Sequence, residues 1–119
     1  MDFGNYFKKL RKSKKVTQKQ VATAIGKTEM LISGVESNKN GSFMDEDLKK
    51  IIECLNLSES EGKELQIQAA KARGTLPTYM LAYVLSHGGV YELIDVLVEN
   101  RLDEEKIKLI KQYAEGLKC

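Results

Sequence analysis

Side chains that could carry catalysis or bind a metal are few in this 119-residue chain, and they are scattered. His87, the single histidine, precedes a Gly-Gly pair, where a histidine usually interacts with the C-terminal end of a helix dipole. One histidine and two distant cysteines are too few for a zinc site. Cys54 lies in an apolar pattern and is expected in the core, and Cys119 is expected to be exposed. We therefore expect no enzyme activity, no cofactor and no metal.

The charged residues are unevenly distributed. Residues 1–43 contain nine basic and three acidic residues, whereas the whole chain has a net charge of only +2, so the remainder is acidic overall. A basic first third is typical of a region that binds a polyanion. A solvated lysine face would give the same count, so charge alone leaves both interpretations open.

The composition favours an all-α fold. There is one proline, and Leu, Lys, Glu, Ile and Ala are abundant,. No apolar run approaches the roughly 18 residues of a membrane span, and the N-terminus lacks the pattern of a signal peptide. We expect a cytoplasmic protein that does not bind a membrane.

Residues 17–39, "TQKQVATAIGKTEMLISGVESNK", predict two short helices on either side of one glycine. Thr17 and Gln20 have the spacing of a capping box, which marks the start of a helix. Gly26 ends that helix where a positive φ is favoured, and Thr28 can cap the second helix only two residues later. A helix, a glycine turn and a second helix make a helix-turn-helix unit.

The packing requirements of such a unit are met. Ala22 is small where the second helix must cross, and Ile32 can fill the angle between the helices. With Thr17, Gln18, Gly26, Ser33 and Glu36, these residues closely resemble the pattern of the XRE-type family of phage-repressor and Cro-like transcription regulators. Together with "YFKKLRKSKKV" and "LKKIIECLNLS" on either side, the resemblance covers about residues 3–60. It implies a five-helix repressor-like head whose second unit helix enters the major groove.

The resemblance also implies roles for individual residues. Gln18 would hold a phosphate, with Lys14, Lys15, Lys19 and Lys27 as further phosphate partners. Arg11 and Glu36 would form a structural ion pair between the first and third helices. The remaining DNA contacts would come from the second unit helix and the segment that follows it: Thr28, Glu29, Met30, Ser33, Gly34, Ser37, Asn38, Lys39 and Asn40.

Three of these positions depart from the family, which often has Arg, Gln or Asn there. Glu29 could accept a hydrogen bond from a cytosine amino group, or it could simply be an acid favoured by the dipole at the start of the helix. Met30 could touch a thymine methyl group, or it could be a partly buried filler. Gly34 suggests a close approach of the backbone to DNA or to another helix. Asn38, where the family usually has Gly, can take left-handed geometry.

The rest of the chain predicts further helices. Ser58 and Glu61 form a second capping box for a helix to about Ala72, and Asp103 caps a final helix over 104–117. Tyr79, Tyr83 and Tyr91 are expected to be packing residues. We assign residues 1–72 to the DNA-binding domain and 73–119 to a C-terminal helical region for dimerisation or interaction, because such short apolar helices need a partner surface.

The leading hypothesis is a dimeric, sequence-specific repressor of phage or mobile-element type that binds a pseudo-palindromic operator in double-stranded DNA. The alternative is a helix-turn-helix module that binds another protein, such as an antitoxin or an anti-CRISPR-type inhibitor, with or without binding DNA. The arginine-free second helix and the acidic C-terminal region favour this alternative.

Overall fold

The computed structural model describes residues 2–118, and these residues form α-helices and no strand. The all-α prediction is confirmed. The helices are α1 (Phe3–Ser13), α2 (Gln18–Ile25), α3 (Glu29–Glu36), α4 (Asp45–Cys54), α5 (Glu59–Arg73), α6 (Thr78–Ser86), α7 (Gly89–Glu99) and α8 (Glu104–Glu115). The chain divides into two compact units, one up to Tyr79 and the other from Met80 onward. The assignment of domains to 1–72 and 73–119 stays a prediction.

The local signals that begin and end the helices of the first unit are present. Both capping boxes form, with reciprocal hydrogen bonds between Thr17 and Gln20 and between Ser58 and Glu61. Gly26 follows α2 with a φ of +68°, a left-handed conformation that only glycine adopts without cost,. The α2–α3 turn is therefore fixed by local chemistry before any packing is considered.

A single hydrophobic core joins the first five helices. Phe3, Phe7 and Phe43 form an aromatic cluster with ring centroids 4.9–6.1 Å apart. Around it pack buried side chains from α2 to α5: Val21, Ala22, Ile25, Ile32, Val35, Leu48, Ile51, Leu55, Leu65 and Ala69. Because α5 supplies Leu65 and Ala69, the core extends beyond the helix-turn-helix unit itself.

Helix α1 lies unusually close to the end of α3 at Gly4. A Cβ atom at this position would come within 2.6 Å of the Val35 carbonyl oxygen and 2.7 Å of the Glu36 carbonyl oxygen. The amide N–H of Gly4 donates to Oδ1 of Asn38 at 3.0 Å. Only a residue without a side chain fits here, because the neighbouring atoms belong mainly to the backbone.

The expected ion pair between Arg11 and Glu36 is present and buried. The guanidinium donates through Nε at 2.6 Å and through a second nitrogen at 2.9 Å to the two carboxylate oxygens. A third nitrogen of Arg11 donates to the Val16 carbonyl oxygen at 2.9 Å. Gln18 donates from Nε2 to Glu36 Oε1 at 3.0 Å, a contact that the sequence did not predict. The cluster thus ties α1, α2 and α3 together.

The charge of Glu36 is stabilised by these partners. Burial raises the pKa of Glu36, but hydrogen bonds from Arg11 and Gln18 and the positive charge of Arg11 outweigh it. The pKa of Glu36 therefore lies below its usual value, and the carboxylate is ionised at neutral pH,.

The second unit exposes much of its apolar surface. Leu85, Val98 and Tyr113 are each about two-thirds exposed or more. Tyr79 at the end of the first unit and Tyr83 and Tyr91 in the second unit have exposed side chains, so the expectation that they are packing residues stays a prediction that depends on a partner surface. No single described helix is long and apolar enough to cross a membrane. Helices α6 and α7 reach that length and composition only as a pair, which is bent by 103° at its break.

The structure also shows the surroundings of His87 and Cys54 and the end of the last helix. His87 does lie at the C-terminal end of a helix, with Nδ1 3.0 Å from the Tyr83 carbonyl oxygen and its ring stacked on Tyr83. Cys54 is only partly buried, because it lies at the rim of the core with Sγ 3.9 Å from the Gln20 carbonyl oxygen. Helix α8 ends at Glu115, before the predicted residue 117. The expectation for Cys119 lies outside the described residues.

Gly4→Ala should destabilise the first unit by about 1–3 kcal/mol, since the added methyl group overlaps backbone atoms that cannot move independently,. Urea unfolding followed by circular dichroism measures the change. Gly41→Ala is the matched control, because a Cβ atom at Gly41 meets nothing within 4 Å. Equal stability of the two variants would contradict the close packing of α1 on α3.

Glu36→Gln should destabilise the protein by roughly 3–5 kcal/mol at pH 7, because Arg11 is left buried without its counter-charge. The folded protein lowers the pKa of Glu36, so its stabilising contribution is present at neutral pH. That contribution is lost as the pH falls below about 4.3 and through the folded pKa,.

Urea midpoints between pH 7 and pH 3 test the ion pair. The wild type should lose stability with acid more steeply than Glu36→Gln, and the exposed control Glu53→Gln should follow the wild type. Parallel pH profiles for all three proteins would refute a stabilising role for the ionised Glu36.

Candidate nucleic-acid interface

The turn between α2 and α3 holds α3 across α2 at a fixed place. Ala22 and Ile32 are both buried where the helices meet, and the N–H of Lys27 donates to the Ala22 carbonyl oxygen at 2.9 Å. Thr28 caps α3 through its side-chain oxygen, which accepts from the N–H of Leu31 at 3.2 Å. The exposed side of α3 is thereby presented by a rigid frame rather than by a loop.

Helix α3 has one buried and one exposed side. Ile32, Val35 and Glu36 are buried, whereas Thr28, Glu29, Met30 and Ser33 are exposed. A shallow depression of about 470 Å³ runs over the exposed side and the following segment. Seven of the predicted DNA-binding residues line it: Thr28, Met30, Ser33, Gly34, Ser37, Lys39 and Asn40. We call this surface, together with the exposed Glu29 next to Met30, the α3 face.

Five predicted DNA-binding residues lie outside that lining. Lys19 and Glu29 are exposed in the first turns of α2 and α3, and Lys27 is exposed in the turn between the two helices. Gln18 is half-buried and its amide nitrogen is bonded to Glu36. Asn38 has a φ of +63°, the left-handed geometry expected of it, and its Oδ1 accepts from Gly4. The sequence did not predict that Gln18 and Asn38 would hold the frame together.

The lysines suggested as further phosphate partners differ in their surroundings. Lys14 is paired with Glu61, with Nζ 2.8 Å from Oε2, and Glu61 also belongs to the capping box of α5. Lys15 is exposed and has a φ of +58°. Lys15, Lys19 and Lys27 are therefore exposed, whereas Lys14 is half-buried and engaged with Glu61.

Met30 is not a buried filler. Its side chain is 82% exposed, the largest exposed fraction of the exposed large apolar residues. Glu29 beside it is also exposed, in the first turn of α3 where the helix dipole favours an acid,. The α3 face thus offers an apolar group and an acceptor side by side.

The side chain of Asn40 lies directly against Gly34. A Cβ atom at position 34 would overlap the side-chain amide nitrogen of Asn40 and lie 2.9 Å from its Cγ. The expectation of a close approach is met, but the approaching group belongs to the chain's own loop rather than to DNA or to another helix. The available sequence signal was a glycine inside the predicted helix together with an asparagine, Asn40, in the turn that follows the helix.

The part of the chain that the structure describes contains no cluster of metal-binding side chains. No group of three or more His, Cys, Asp or Glu side chains is arranged to hold an ion among residues 2–118.

The comparisons with known proteins identify the fold of this region. Residues 7–61 match the helix-turn-helix family, and this match covers α2, α3 and α4 together with most of α1 and the start of α5. Neither the curated proteins nor the solved structures gave a match. This match supports the resemblance of residues 7–61 to the XRE-type helix-turn-helix family, a family of DNA-binding transcription regulators.

Proposed function

We propose that this protein is a dimeric, sequence-specific repressor that binds a pseudo-palindromic operator, of the kind found in phages and mobile elements. The observation that carries the proposal is the α3 face, where seven predicted residues form one exposed surface on a rigid helix-turn-helix frame. In this proposal the five-helix head binds DNA, the C-terminal helices form the dimer, and the protein acts in the cytoplasm by binding rather than by catalysis.

Docking would place α3 in the major groove and the N-terminal end of α2 across the DNA backbone. Lys19, Lys27 and Lys39 are exposed and would neutralise phosphates, which supplies affinity without reading sequence,. Sequence would be read by the side chains of the α3 face itself. Met30 fits the methyl group of thymine, and Glu29 fits the amino group of cytosine.

The buried ion pair supports this geometry. Base edges are distinguished by hydrogen bonds whose direction must be held within a few tenths of an ångström. Arg11, Gln18 and Glu36 lock the C-terminal end of α3 to α1 and α2, so a groove contact made by α3 does not need to order the helix first. Preorganisation of this kind retains binding energy that would otherwise be lost to ordering.

Dimerisation is supported by the surface of the second unit. Leu85, Val98, Leu109 and Tyr113 leave large apolar areas in contact with water, and exposed apolar patches of this kind mark interaction surfaces. A single head makes few base contacts, whereas a two-fold dimer reads two half-sites about 34 Å apart. A second copy of the chain is therefore the proposed partner.

Lys27→Ala should weaken binding to every DNA sequence alike, because a phosphate contact carries no sequence information. The slope of log K against log salt concentration should fall by about 1. Fluorescence anisotropy with selected and unrelated duplexes at several salt concentrations measures both quantities. Lys50→Ala, an exposed lysine on α4, is the control and should leave the slope unchanged.

Two results would count against the repressor proposal. Wild-type protein that shows neither sequence preference nor a salt slope is not a DNA reader. A protein partner whose co-purification survives the Gln18→Ala/Lys27→Ala double substitution, while DNA binding is lost, would instead establish the protein-binding alternative. The exposed Met30 and Glu29 would then serve as its contact surface.

Leu109→Asp/Tyr113→Asp should convert the dimer into monomers, because both side chains are exposed and lie one turn apart on α8,. Affinity for a full palindromic operator should fall by about 100-fold or more, as the second half-site no longer binds intramolecularly. Sedimentation equilibrium and gel shifts measure the two effects.

The matched control for the dimer variant is Lys111→Asp. It makes the same change of two charge units on the opposite side of α8 and should remain dimeric,. If the double variant is also dimeric, the dimer interface does not include this side of α8.

A further inference from the structure

The α3 face has a gap in its row of side chains at Gly34, and Asn40 fills that gap. Ser33, Gly34 and Ser37 line the depression on the α3 face. Gly34 contributes no side chain of its own, and the amide of Asn40 occupies the position that its Cβ would take. A side chain from the following loop thus lies among the exposed side chains of α3.

The loop that carries Asn40 is fixed on both sides. The N–H groups of Lys39 and Asn40 both donate to the Gly34 carbonyl oxygen, at 2.9 and 3.0 Å. Beyond Asn40, the Ser42 hydroxyl donates to the Ala69 carbonyl oxygen at 2.8 Å, and Phe43 is buried in the core. The backbone that carries Asn40 is therefore held in place next to Gly34.

The hydrogen bonds of Asn40 leave a donor and an acceptor on an exposed side chain. One hydrogen of Nδ2 goes to the Leu31 carbonyl oxygen, at a long 3.4 Å. Nδ2 carries a second hydrogen, and Oδ1 accepts from no group within residues 2–118,. A donor and an acceptor on one amide are the pair that matches N7 and the N6 amino group of adenine.

We propose that Asn40 is a base-reading residue: its amide, seated over Gly34, recognises an adenine in the major groove. The inference rests on the proposed function, since it assumes that α3 lies in that groove. It narrows the role expected for Asn40 from a DNA contact of unspecified kind to a determinant of sequence specificity. It also explains why position 34 lacks the side chain that the family often has there.

In vitro selection from random duplexes with the full-length protein tests the proposal. Wild-type protein should select a half-site with adenine at one position. Asn40→Ala should lose that preference by about 5- to 100-fold while every other position keeps its preference. Lys39→Ala, the neighbouring loop residue, is the contrast, since it should weaken all sequences equally and change no preference.

A second pair of variants tests whether the amide must sit over Gly34. Gly34→Ala should remove the same adenine preference by displacing the amide, and it should have no further effect on preference in an Asn40→Ala background,. Thermal unfolding of each variant checks the fold. Should Asn40→Ala fail to fold, Asn40→Ser and Gly34→Ala provide the same comparison.

The outcomes separate this inference from the proposed function. If wild-type protein selects no sequence, the repressor proposal fails and this inference fails with it. If wild-type protein selects a half-site and Asn40→Ala weakens all sequences equally, the proposed function stands and Asn40 is only a loop anchor. Loss of preference at several positions together would likewise overturn the assignment, because it would indicate displacement of α3.

Discussion

The buried contact of Arg11 with Glu36 is the interaction on which the rest of the head depends. Glu36 is the last residue of α3, and through it α1 and α2 hold the same end of the helix. Burying such charges is costly, so the cluster is better understood as a device for orientation than as a source of net stability. Each hydrogen bond to the carboxylate specifies a distance between two helices, and together they fix where the α3 face points.

A second set of contacts governs the segment after α3. Asn38 adopts a left-handed turn and bonds to the N-terminal end of α1, while Asn40 folds back over Gly34. The side-chain amide of Asn38 pairs with a backbone N–H group, that of Gly4,. The side-chain amide of Asn40 lies where Gly34 has no side chain. The chain leaves α3 along a defined path, so that the helix and the loop behave as one surface.

Local sequence signals were enough to predict the helices of the head. The capping boxes at Thr17 and Ser58 and the glycine turn at Gly26 depend on neighbours within a few residues, and all formed as expected. Contacts between distant residues were not predictable in this way. The Gln18–Glu36 bond and the seat of Asn40 over Gly34 arise only when the helices pack. The position of Cys54 was misjudged because periodicity does not report how much surface a neighbour covers.

Because α5 completes the core, it determines the smallest fragment that could be transplanted into another protein. The match to the helix-turn-helix family stops at residue 61, yet Leu65 and Ala69 close the core beyond it, and Arg73 bonds to the Phe43 carbonyl oxygen. A chimaera joined at residue 61 would therefore leave Phe43 and its loop without their covering helix. The transplantable module ends no earlier than Arg73, because α5 up to that residue bonds to Ser42 and Phe43 in the loop that carries Asn40.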